Sequence, residues 1–106
     1  MPIRYKIIVY VPKPHAKKVR EAIGIAGGGK FAKYSFCSFS VSGIGRFKPE
    51  KGAKPFLGKV GKLEQVQEER IEFVCEAAKV KNVLAAIKKA HPYEEVAYDV
   101  LKLENR

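Results

Sequence analysis

Ala90-His91-Pro92-Tyr93-Glu94-Glu95-Val96-Ala97-Tyr98-Asp99 is the stretch from which the fold is worked out. These ten residues hold one of the two histidines, two of the five tyrosines and three carboxylates. Pro92 lacks an amide donor and disfavours helical backbone at His91, so a helix arriving from upstream must stop here and the chain re-emerge as a strand. An imidazole, a phenol and carboxylates at such a corner are also able to hold a cation or a polar ligand.

Upstream of the corner, Val80, Val83, Leu84 and Ile87 form an apolar helical stripe, with Lys88 and Lys89 in the last turn, where cations suit the helix dipole. Before that helix, residues 64–77 alternate Ile71, Phe73 and Cys75 against Arg70, Glu72 and Val74, which predicts a long third strand. Downstream, residues 96–103 supply a fourth strand and residues 104–106 a polar tail expected to fray. At the other end, Ile3, Tyr5, Ile7, Val9 and Val11 alternate with Arg4, Lys6, Ile8 and Tyr10, a first strand with one face in the core. Pro12 and Pro14 end it. Ala16, Val19, Ala22, Ile23 and Ala26 then follow helical spacing, and Gly27-Gly28-Gly29 stop that helix. Gly-Gly-Gly-Lys invites a phosphate-loop reading, but it follows its helix and lacks the Lys-Ser or Lys-Thr step, which favours a plain helix stop. Residues 34–41, rich in aromatic and β-favouring types, predict a second strand with both faces at least partly covered.

Residues 43–62 change character: five glycines, two prolines and six basic residues accompany a single acid, Glu50. They read as a turn-rich β arm, in which glycines let backbone amides approach an anion while lysines supply charge. The order strand, helix, strand, arm, strand, helix, strand is two β-α-β halves joined by an arm. The α+β solution is a ferredoxin-like βαββαβ sandwich, an antiparallel sheet with both helices on one face and a Gly/Lys-rich β arm between strands two and three. Ile8 and Tyr10 then lie on the open face, too apolar for water, which predicts another subunit there.

A chain of 106 residues is one domain, 1–106, with one core. Its 46% hydrophobic and 30% charged content excludes disorder, and the longest early apolar run, residues 7–11, is too short for a membrane span or a signal peptide, so a cytoplasmic protein is expected. Cys37 and Cys75, far apart and flanked by apolar residues, read as buried reduced thiols. Charge is lopsided: residues 1–62 carry 14 Lys and Arg against Glu21 and Glu50, a net of +12, whereas residues 63–106 carry 7 against 9 acids, a net of −2. Such asymmetry attracts phosphates or nucleic acid, or matches one subunit to its neighbour.

GIGRFKPEKGAKPFLGKVGKLEQVQEERIEFVC (residues 43–75) and AHPYEEVAYDV (residues 90–100) resemble the inserted domain of the Nif-three-like dinuclear metal centre family. In that family the insert looks like PII signalling proteins and CutA, which are ferredoxin-like and trimeric, and CutA carries a similar His-Pro-Tyr-Glu sequence. The resemblance implies a free-standing copy of the insert, a homo-oligomer of trimeric type, with Arg46, Lys48 and Lys54 as anion contacts and His91, Tyr93 and Glu94 lining or bracing a cleft. Two features depart from the pattern. Only His15 and His91 are present, so the parental metal centre is not carried over, and Val96 stands where relatives commonly have proline.

The function expected is a non-catalytic binding or regulatory module that accepts a small anionic ligand or a protein partner. One alternative is divalent-metal binding of the CutA type at His91 with Glu94 or Glu95, although one histidine must recruit further ligands. Another is nucleic-acid binding through the basic arm, for which no specific recognition motif appears. Catalysis lacks a Ser or Cys paired with a histidine, and an extended backbone would put Glu94 and Glu95 on opposite faces.

Overall fold

Alternation and punctuation become elements in the computed structural model, which describes residues 3–104. Strand β1 spans Arg4–Pro12, a 3-10 turn Lys13–His15, helix α1 Ala16–Ile25, β2 Phe39–Phe47, β3 Glu64–Glu76, α2 Ala77–Ala90 and β4 Tyr98–Lys102. The sheet is antiparallel in the order β2-β3-β1-β4, the expected ferredoxin-like arrangement. Register places Ile7 between Phe73 and Val100 and Val9 between Ile71 and Tyr98, so one sheet face is an unbroken apolar layer. Val19 and Ile23 of α1 and Val83 and Ile87 of α2 close over it in a single core. Helix α2 stops where Pro92 requires: His91 is extended (φ −79°, ψ 139°), and its amide donates to the Ile87 carbonyl at 2.8 Å.

The second strand lies further along the chain than its composition suggests. Residues 34–38 are irregular; Phe31 and Tyr34 bond each other, and positive φ angles at Ala32 (51°) and Phe36 (58°) turn the chain onto the β3 edge. Pairing with β3 then carries β2 through Gly43 and Gly45 to Phe47, because a tertiary partner outweighs the weak strand propensity of glycine. The expected covering of both β2 faces is corrected: the strand is an edge, and Phe39, Val41 and Ile44 are exposed. β4 is likewise shorter than expected, residues 96 and 97 forming its irregular approach.

Ile8 also departs from expectation. It is 5% exposed on the open face, where Glu72 and Asp99 flank it in register and Lys6–Glu72 (3.8 Å) and Arg70–Glu72 (3.3 Å) ion pairs form. The sheet shields this residue without another subunit. Cys75 is buried, its thiol pKa raised by burial, whereas Cys37 is half-buried; both are free thiols. Residues 105 and 106 of the expected frayed tail lie outside the described residues.

Candidate functional site

The arm closes on itself before it closes on the rest of the fold. Gly61 donates to the Pro49 carbonyl at 2.7 Å, tying the base of the arm, and positive φ at Gly52 (96°), Gly58 (88°) and Gly61 (83°) supplies its reversals. Its tip then reaches the turn after α2. The Lys54 amide donates to Glu94 Oε1 at 2.8 Å, and the Phe56 ring lies 5.6 Å from His15 and 6.4 Å from Tyr93, centroid to centroid. Phe47, at the end of β2, meets Tyr93 edge-on at 5.8 Å. Between arm, β2 end and turn lies a cavity of about 360 Å³, walled mainly by apolar groups such as Phe47, Pro55, Phe56 and Leu57.

His91 braces this wall from behind. Its Nε2 donates to the Tyr10 carbonyl at 2.7 Å, which leaves Nδ1 as the acceptor for the Tyr93 amide at 3.1 Å. Burial lowers its pKa, against the opposing pull of the Tyr10 carbonyl. Both ring nitrogens are thus engaged, and the ring could take a metal only by releasing a backbone partner. Among the described residues, no group of three or more His, Cys, Asp or Glu is placed to hold a metal ion.

Glu68 of β3 enters the cavity beside Gly45, where a Cβ would collide with its carboxylate. Its recorded partner is the Tyr93 hydroxyl, which donates to Oε2 at 3.4 Å. Burial raises the Glu68 pKa, and the Tyr93 bond moderates the rise. Tyr93 is pushed up to about 12, first by burial and then by the Glu68 charge.

Of the residues singled out in the sequence, Arg46, Tyr93 and Glu94 come together on the cavity wall and His91 stands behind them. Lys54 takes part through its backbone amide, and Lys48 is exposed and absent from the wall. Residues 93–95 form a bend, so Glu94 and Glu95 line the same cavity, correcting their expected separation to opposite faces. Sequence reasoning missed Glu68; the signal for it was Gly45 inside a strand, a mark of close approach by another group. The Gly27–Gly29 amides are all bonded to protein carbonyls (Gly24, Ile23 and Val74), consistent with a helix stop.

No family model matches the chain. It is 50% identical over 101 residues to the GTP cyclohydrolase 1 type 2 homolog of Halalkalibacterium halodurans, covering 95% of this chain and 27% of that protein. The chain thus spans about a quarter of the length of the curated relatives it matches. The crystal structure of the Bacillus cereus protein related to NIF3 superposes with a TM-score of 0.85 at 45% identity, over 98% of this chain and 26% of that one. The periplasmic divalent cation tolerance protein CutA from Archaeoglobus fulgidus matches with a TM-score of 0.69 at 17% identity, over 97% and 86% of the two chains, a likeness of fold alone.

Proposed function

We propose, from the premise that this chain is a homologue of a domain-sized segment of the NIF3-related proteins, that it is a non-catalytic binding module whose ligand site is the cavity beneath the arm. The observation that carries this reading is the way arm, strand end and post-helix turn converge on one apolar space with a half-buried carboxylate inside it. A volume near 360 Å³ suits a small molecule. Arg46, Tyr93 and Glu94 are its ligand contacts, with His91 as their brace; Lys48 and Lys54 are exposed and lie off the cavity wall.

The module assembles with copies of itself, as the trimeric resemblance implies, and the exposed edge β2 is the surface we assign to that contact. Nine residues of edge strand with exposed Phe39, Val41 and Ile44 offer a neighbour both unpaired backbone and apolar area. Two free thiols fit a reducing cytoplasm, and no helix among the described residues is long and apolar enough to cross a membrane. The site is tested by amide shift mapping with neutral aromatic fragments. Shifts should gather at Phe47, Tyr93 and Ala97 and weaken in Phe56→Ala; shifts scattered elsewhere, unchanged by that substitution, would remove the reading.

A further inference from the structure

We propose that the cavity takes a small organic cation, an amine whose apolar body lies between Phe47, Phe56 and Leu57 and whose ammonium meets the carboxylate of Glu68. The inference rests on the cavity being the ligand site and adds the charge of its occupant.

The argument starts from an imbalance. Three carboxylates, Glu68, Glu94 and Glu95, line the cavity against one guanidinium, Arg46. Among the described residues none of the three is ion-paired, whereas Glu69 and Glu72 of β3 are: Arg20 holds Glu69 at 2.5 Å, and Lys6 and Arg70 hold Glu72. Glu94 is occupied by the Lys54 amide. Glu68, half-buried where Glu94 and Glu95 are exposed, has a long phenol bond in place of a cation, and a carboxylate partly withdrawn from water without a counter-charge is costly. An ammonium arriving with the ligand offsets that cost, and the faces of Tyr93, Phe47 and Phe56 attract a cation as well.

Other charges fit less well. An anion would add to three carboxylates, although the chain as a whole is strongly basic. A metal ion finds no converging ligand set among the described residues, and the charge imbalance is set in apolar walls that suit hydrocarbon. The volume accommodates a body of one or two rings.

The test is a protein-observed NMR titration with three probes of similar shape: 2-phenylethylammonium, 2-phenylethanol and 3-phenylpropanoate. The ammonium should bind about tenfold more tightly than the alcohol, as one charge-assisted hydrogen bond warrants, and the propanoate more weakly than both. Glu68→Gln, with its fold checked by the unchanged spectrum outside the cavity, should bring the ammonium to the level of the alcohol, and Arg46→Gln should tighten it. If alcohol and ammonium bind equally at the cavity, or the propanoate binds best, the cation assignment falls while the site stands. If no probe shifts the cavity residues at millimolar concentration, both readings fall.

Discussion

His91 works at the scale of two hydrogen bonds, and the one accepted by Nδ1 requires a neutral ring. Protonating Nδ1 would turn it into a donor facing the donor amide of Tyr93 and would place a charge on a residue that is 6% exposed. Because the folded pKa lies below the ordinary 6.5, His91 contributes stability that is present above that value and lost as pH falls through the lowered pKa. Denaturant midpoints measured downward from pH 6.5 should therefore drop, and should drop less in His91→Gln; parallel pH profiles would sink the assignment. Glu68 has the opposite sign, its raised pKa favouring the fold below the ordinary 4.5 and losing that contribution as pH rises through the folded value. Gly29 illustrates a backbone requirement: at φ +75°, any Cβ would strike the Cys37 backbone, whereas Gly43 has open space around it. Gly29→Ala should cost about 2 kcal/mol or more, and Gly43→Ala should stay within about 0.5 kcal/mol, by urea unfolding.

The arm is the element that adds a cavity to a common fold. It is attached to the post-helix turn by one recorded hydrogen bond, Lys54 to Glu94, and by the Phe56 ring against His15 and Tyr93. A net contribution of about 1 kcal/mol for that bond means that Glu94→Ala should raise hydrogen exchange at the Lys54 amide severalfold. Amides of Ile71 and Phe73, inside the core, should be unmoved, since the arm contributes nothing to that cluster. Equal acceleration in arm and core would show that the arm is part of the cooperative unit instead of a flap upon it.

The whole molecule is elongated, 47 × 23 × 22 Å, because the β2–β3 ribbon runs beyond the rest of the sheet: residues 64–67 pair with β2 alone. An isolated ribbon with exposed apolar side chains on its outer strand calls for a neighbour. Light scattering should give a multiple of the 11.8 kDa chain mass, and the double substitution Val41→Lys with Ile44→Lys should reduce it to a single chain without changing the melting of the core. A wild-type monomer at micromolar concentration would remove the oligomeric proposal.

The sequence by itself determined everything that local backbone rules govern. Pro92 ends α2, Gly27 to Gly29 end α1, and the two-residue alternation of Ile7, Val9 and Val11 chooses the core face, each through interactions spanning a few residues. From the same residues the ferredoxin-like order followed, while the likeness to the NIF3-related proteins rested on the runs at residues 43–75 and 90–100. Tertiary structure alone decided where β2 begins, since pairing with β3 drew glycines into a strand and left Tyr34 and Phe36 outside it. It also decided the site. Lys54 and Glu94 are 40 residues apart, and Glu68 and Tyr93 25, so neither pair has a local signature. A bend at residues 93–95 placed Glu94 and Glu95 together where alternation had separated them, and so made acidic and apolar a cavity that the basic composition of the arm had presented as a place for anions.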